Sequence, residues 1–366
     1  MIRFSALSLL FFLGIDCVAD EAYRVIAPNG KTQQVICITV DVVGDKVSIS
    51  QLAPADLPFG PSGVALNAAG DKVIVHKSGK DDTSAATLEI AEDGNLQLIG
   101  TSKLSNPSGY TSVDRSGQYF MTVSYGSGAI AVYRLRENGT VGEETQSLQV
   151  PRKESHCILT TRDNRFVYIP CVKTNNALYQ FAFDEATGRL RQLEPFDAMP
   201  PAMFGPRHVA YHPTLPIAYF SNEQQLGVSV YEIGANGQLT DRQHVSTMPR
   251  RSPFVQGTRG LHASDLVVSP NGERLYVAVR DFVGKEDSAF TFQVETDGRL
   301  RQIARTRVGD IPWKLAISPG GEHLLVSESA DHKLSIFKTE EDGALSRVAQ
   351  IDWGIAARDM VVVASH

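Results

Sequence analysis

The residues best suited to chemistry lie in one stretch, Gly205 to Glu223, which reads GPRHVAYHPTLPIAYFSNE. It opens on a Gly-Pro turn carrying Arg207 and His208. An apolar run follows, the chain turns over 212–216, and a second apolar run ends at Asn222 and Glu223. Two antiparallel strands joined by a tight turn set the start of the first beside the end of the second. A guanidinium, an imidazole and a carboxylate therefore converge at one end of one hairpin. An arginine grips a carboxylate or phosphate through paired hydrogen bonds. A histidine or glutamate supplies a base near neutral pH.

The rest of the chain repeats this hairpin. SGVALNAAGDKVIV begins at Ser62, SGYTSVDRSGQYFMTV at Ser108, SHCILTTRDNRFVYI at Ser155 and RHVAYHPTLPIAYF at Arg207. SDLVVSPNGERLYVAV begins at Ser264, WKLAISPGGEHLLV at Trp313 and the truncated RDMVVVASH at Arg358, so successive starts are 45–57 residues apart. Each complete copy is apolar run, polar turn, apolar run. Between copies lie Asp93-Gly94, Asn138-Gly139, Asn236-Gly237, Asp297-Gly298 and Asp342-Gly343. Such dipeptides suit two-residue hairpin turns, whose central positions both take positive φ. Four strands per 45–50 residues is the period of a β-propeller blade. The expected fold is all-β: a seven-bladed propeller of four-stranded antiparallel blades, one domain over residues 20–366. The last copy has one strand, and residues 22–52 supply three strands without a first. Pairing of the N- and C-terminal strands closes the ring and removes a free sheet edge.

In a propeller the first strand of each blade lines the channel. Strand starts and second-strand ends then share one mouth. The starts are Gly63, Gly109, His156, Arg207 with His208, Asp265, Lys314 and Asp359; the ends are His76, Ser124 with Tyr125, Cys171, Glu223, Arg280 and Glu328. Three readings fit so polar a mouth. It is a structural ring of ion pairs, since fold alone does not imply function. It is a site for an anionic small molecule, held by arginines with His156 and Glu223 as bases. Or a Glu, an Asp and a His ligate a divalent ion, against the field of nearby Arg and Lys. The insertions at 195–206 and 246–263 enter the same face and are expected to wall the site. No Gly-x-Ser-x-Gly elbow, phosphate-binding loop, His-Glu-x-x-His or Cys-x-x-Cys is present.

Net charge is −6, which argues against a nucleic-acid partner. No apolar run beyond the N-terminus is long enough to span a membrane. Residues 1–19 have a positive start at Arg3, an apolar core over 7–13 and a small-residue cleavage site at Cys17-Val18-Ala19. This is the pattern of a secretory signal peptide, so export to the periplasm or beyond the cell is expected. The remaining Cys37, Cys157 and Cys171 form no disulfide framework. Cys157 and Cys171 are candidate cross-strand neighbours, with buried free thiols the expected state.

GPRHVAYHP with the Asn-Glu pair at 222–223, PSGYTSVDRSGQYFMTVSYGSGAIAVY at 107–133, SDLVVSPNGERLYVAVRD at 264–281 and IPWKLAISPGGEHLLVSES at 311–329 resemble the lactonase family of seven-bladed propellers. That family includes bacterial 6-phosphogluconolactonases and fungal carboxy-muconate cyclases. The resemblance implies metal-independent chemistry, no cofactor, and joint action of His156, Arg207, Glu223 and Arg280, the four that the repeat register also selects. Asp265 matches a family Asp. The chain departs from the family at Trp313-Lys314, at Ser124-Tyr125 and at Val279 before Arg280. Hydrolysis of a sugar lactone, 6-phosphogluconolactonase-like, to the aldonic acid is the expected activity. His156 or Glu223 activates water, Arg207 and Arg280 hold the substrate's anionic group and the oxyanion, and His208, Asp265, Lys314 and Tyr125 complete a binding surface. The partner is a small anionic lactone and the chain is expected to be a monomer. The alternatives are a muconate-type cycloisomerase and a non-catalytic exported propeller that binds a ligand or protein.

Overall fold

The computed structural model describes residues 20–79, 83–248 and 260–365. The expected signal segment at 1–19 and most of the second wall insertion, 249–259, lie outside the described residues.

Seven antiparallel sheets are formed, six with their strands in sequence order and one that joins the C-terminal strand to the N-terminal ones. Gly63–Leu66, Tyr110–Val113, Pro206–Tyr211, Leu261–Val268, Pro312–Ile317 and Val361–Ala364 are the first strands of six of them. In the third blade the first strand is reduced to two isolated bridges, Ser155 to Cys171 and Thr160 to Val167. The ring closes as the repeat count requires. Val361–Ala364 pairs antiparallel with Glu21–Asn29, with Ile26 opposite Val361 and Tyr23 opposite Ala364. One 3-10 turn, Lys173–Asn175, is the single helical element among the described residues. No helix there is long and apolar enough to cross a membrane.

The inner and second strands are mostly buried, and apolar away from the mouth, because blades pack face to face on both sides. Tyr119, Met121, Val167, Ile169 and Phe181 form one such inter-blade core, and Tyr219, Val228, Val277, Phe290 and Phe292 another. The outer strands alternate between exposed and half-buried positions, as in Leu345–Asp352. A second-strand tyrosine ties the third blade to the fourth and the fourth to the fifth: Tyr168 donates to the Gly237 carbonyl at 2.8 Å and Tyr219 to the Gly298 carbonyl at 2.9 Å.

The outer hairpin turns differ from expectation. Only the glycine takes positive φ, +85° at Gly94 and +82° at Gly298; Asp93 and Asp297 do not. Gly94 N–H donates to the Ala91 carbonyl and Ala91 N–H to the Asn95 carbonyl. This is a tighter turn followed by a left-handed glycine bulge. The acid before the glycine instead accepts from the amide two residues on, as Asp93 does from Asn95 at 3.0 Å. Cys37, Cys157 and Cys171 are free and buried. Cys171 faces Ser155 across the strands rather than Cys157.

Candidate functional site

A regular strand sends alternate side chains to opposite faces, so two neighbours cannot both enter a channel. Three first strands break this rule at the mouth. Register shifts fall between Pro206 and Val209, Ala263 and Leu266, and Pro312 and Lys314. Such bulges re-aim side chains, and here they carry Arg207 with His208, Ser264 with Asp265, and Trp313. His156 sits on the irregular first segment of the third blade, anchored by its N–H to the Pro170 carbonyl at 2.9 Å.

The same repeat position then meets itself around the ring. His156 Nδ1 lies 3.2 Å from His208 Nε2, and His208 Nδ1 lies 2.7 Å from Asp265 Oδ1. Asp265 Oδ2 is 3.3 Å from Lys314 Nζ, which is 3.5 Å from Asp359 Oδ1. Asp359 Oδ2 accepts from Val64 N–H at 2.9 Å. Blades three to seven each give one side chain to this inner layer, and it ends on the backbone of blade one. Blades one and two contribute Gly63 and Gly109 instead. A Cβ at Gly63 would run into the His76 ring, and one at Gly109 would lie 3.1 Å from Tyr125. The two glycines leave room for these second-strand side chains to fold over them.

One residue toward the mouth is a second layer. Arg207 Nε is 3.0 Å from Glu223 Oε2, and Arg280 Nη2 is 3.6 Å from Glu223 Oε1. His262 Nδ1 is 3.7 Å from the same Oε1. Arg207 and Arg280 are 1% and 3% exposed, so their charges are held out of water. Trp313 is the platform of this layer. The guanidinium carbons of Arg280 and Arg358 each lie 4.5 Å from its ring centre, and that of Arg207 lies 6.0 Å away.

Burial and charge set the protonation states. His208 is lowered to about 3, by burial first and then by the Arg207 charge, against the pull of Asp265. His156 is driven well below the ordinary histidine range by burial, Arg207 and His208. Both rings are therefore neutral at pH 7. Burial opposes ionisation of Asp265, yet Lys314 and His208 outweigh it and hold the carboxyl below its usual range. Burial likewise works against the Lys314 charge, and Asp265 and Asp359 reverse this and raise its pKa.

These states fix the tautomers. The Asp265 carboxylate only accepts, so His208 carries its proton on Nδ1. Its Nε2 is bare and accepts from His156 Nδ1–H. His156 is left with an unprotonated Nε2. Arg207 Nη1, 3.4 Å from His208 Nδ1, is a second donor at that atom and repels further protonation rather than bonding.

A cavity of about 340 Å³ opens beside these groups, lined by His76, Tyr125, His156, Arg207, His208, Trp313 and Arg358 among others. This is the size of a small-molecule site. All eight residues singled out from the sequence belong to one connected assembly, since Tyr125 also packs edge-on to His156 at 5.6 Å. They do not all line the cavity. His156, Arg207, His208 and Tyr125 do, whereas Glu223, Arg280, Asp265 and Lys314 are not among its lining residues. Glu328, expected at the mouth, turns into its own blade, where it accepts from Gly309 N–H at 2.9 Å and Gln350 Nε2 at 3.0 Å. The 195–206 insertion does reach the mouth face: Gly205 N–H donates to Asn176 Oδ1 at 2.7 Å. Among the described residues no three His, Cys, Asp or Glu side chains gather as a metal site.

Sequence reasoning passed over His262 and Arg358. Arg358 had a signal, because it stands at the same repeat position as Arg207 and Trp313. His262 had none, because the fifth first strand begins at Leu261, three residues before the aligned motif.

The family described as Lactonase, 7-bladed beta-propeller matches residues 28–358. The chain belongs to this family. Among relatives of this lactonase chain, the 6-phosphogluconolactonase of Yersinia pestis (strain Pestoides F) is 26% identical over 327 residues, covering 88% of this chain and 91% of that protein. The 6-phosphogluconolactonase of Yersinia enterocolitica is 27% identical over 268 residues, covering 72% of this chain and 76% of that protein. Among solved structures, the Pseudomonas aeruginosa periplasmic gluconolactonase superposes with a TM-score of 0.82 at 22% identity, covering 94% of this chain and all of that one. At that identity the likeness carries the lactonase fold alone.

Proposed function

We propose that the protein hydrolyses a sugar lactone to its aldonic acid in the 340 Å³ cavity, with His156 as the general base. The observation that carries this reading is the Asp265–His208–His156 chain, at 2.7 and 3.2 Å. It leaves a neutral imidazole with one free lone pair in a cavity that Arg207 also lines. Glu223 is the weaker candidate base, because its carboxylate is committed to Arg207 at 3.0 Å and stands outside the cavity lining.

In this reading His156 Nε2 takes a proton from water as the oxygen attacks the lactone carbonyl. The carbonyl π electrons move to oxygen, and Arg207 donates to that oxyanion. Glu223 keeps the Arg207 guanidinium oriented. Collapse re-forms the carbonyl and breaks the bond to the ring oxygen, which receives the proton from His156. Asp265 and His208 are positioning residues, since they act on His156. Family membership and the gluconolactone-type names of the relatives support a sugar lactone as substrate. The secretory pattern at residues 1–19, with a periplasmic protein among the structural neighbours, supports action outside the cytoplasm.

The test is turnover of gluconolactone and 6-phosphogluconolactone by the chain lacking residues 1–19, with and without chelator, after subtraction of spontaneous opening. Chelator-insensitive turnover that falls about 10²–10⁴-fold in His156→Gln supports the reading. A folded protein with no turnover above background sinks it. Loss in Glu223→Gln with full activity in His156→Gln would move the base to Glu223.

A further inference from the structure

The layer nearer the mouth carries more positive charge than it balances. Three guanidiniums surround Trp313, and among the described residues Glu223 is the one carboxylate that reaches them, pairing with Arg207 and Arg280. Arg358 makes no ion pair or hydrogen bond among the described residues; its contact is the Trp313 face at 4.5 Å. Its neighbour Asp359 is turned away to Lys314 and Val64 N–H. Arg280 Nε is buried without a hydrogen-bond partner among the described residues. Burial, Arg207 and Arg358 together pull Arg280 down to about 9, as expected of a desolvated cation beside two others; Arg358 itself is exposed. Stacking on an indole orients a guanidinium while leaving its N–H edge free.

We propose that Arg358, stacked on Trp313, receives an anionic group of the lactone remote from the reacting carbonyl, a phosphate or a carboxylate. The inference rests on the lactonase reading above and deepens it. Arg207 and Arg280 share the Glu223 carboxylate, whereas Arg358 has no carboxylate partner among the described residues. Arg358 lines the cavity that contains His156 and has its charge unspent, so one molecule can touch both.

The test compares gluconolactone, 6-phosphogluconolactone and a carboxylated glucarolactone as substrates of the wild type, Arg358→Gln and Arg358→Lys. Alongside, inorganic phosphate is titrated against the fluorescence of Trp313, one of two tryptophans. The wild type is expected to favour at least one anionic lactone. Arg358→Gln is expected to cut that preference over gluconolactone roughly 10–100-fold, the cost of one charge-assisted contact, mainly through KM, with Arg358→Lys in between. Which anionic lactone loses more identifies phosphate or carboxylate as the group recognised. Phosphate should change the Trp313 emission saturably in the wild type and not in Arg358→Gln. A preference that stays within twofold in Arg358→Gln overturns the inference and leaves the lactonase reading standing. If no lactone turns over, that reading fails and the phosphate titration alone decides the Arg358 site: an Arg358-dependent change upholds it, and no change in the wild type overturns it.

Discussion

Two adjacent positions of one repeat build two layers of opposite character. The deeper layer, His156–His208–Asp265–Lys314–Asp359, is a closed chain of contacts. Two carboxylates flank one ammonium, and every link finds a partner within 3.5 Å. The layer nearer the mouth, with Arg207, Trp313 and Arg358 joined by Arg280, sets three guanidiniums against Glu223, the one carboxylate among the described residues that reaches them. The first layer satisfies itself, and what it offers outward is the free Nε2 of His156. The second leaves charge unspent. Buried charge is costly unless paired, so the satisfied layer can serve as scaffold, while the exposed and unpaired Arg358 makes the second suited to a ligand.

The contrast can be broken by removing one cation from each layer. Arg207→Ala takes away the proposed oxyanion donor and is expected to lower turnover by about 10²–10³, read as kcat with circular dichroism as the check on folding. Full activity would remove Arg207 from the chemistry and with it the functional half of the contrast. Lys314→Met leaves Asp265 and Asp359 facing each other without their cation. Breaking a buried pair in this way costs about 3–5 kcal/mol, read as a lower denaturant midpoint. A midpoint shift smaller than that of Arg358→Gln would mean that the deeper layer is not the structural one.

The smallest effect is on pH. His208 and His156 have folded pKa values below their ordinary 6.5, so the unfolded chain takes up protons that the native protein refuses. For His208 this holds between about 3 and 6.5. Over that window stability rises with pH and is lost as pH falls. The thermal midpoint should therefore decline on acidification below about pH 6.5, with a shallower decline in His208→Gln. Asp287 works against this trend: burial raises it to about 6, so its contribution favours the native state on the acid side and is lost as pH rises through about 6. An unchanged pH slope in His208→Gln would show that this ring is not held neutral in the native state.

Much of this was legible in the chain. The spacing of Ser62, Ser108, Ser155, Arg207, Ser264, Trp313 and Arg358 specifies seven blades, and the orphan strand at the C-terminus specifies how the ring closes. The alternation of apolar runs with Gly-containing turns leaves little else for these segments to be. Repeat register also brings Tyr125, His156, Arg207, His208, Glu223, Asp265, Arg280 and Lys314 to one mouth, because strand starts and strand ends share an edge. It misplaced Glu328, since register sets the height of a residue on its strand but not the direction of a buried side chain seeking amide donors.

What periodicity could not supply depends on bulges and on electrostatics between blades. A pattern of apolar and polar residues does not reveal that three first strands slip register at the mouth and so admit Arg207 and His208 together. Nor does it say which nitrogen of His156 is free. That follows from a carboxylate 57 residues further along the chain from His208, which fixes one tautomer and thereby the next. Local sequence determines the strands and their order through side-chain spacing alone. The proposed assignment of base and positioning groups arises only when non-adjacent charges are brought within a few ångströms in a medium too dry to screen them.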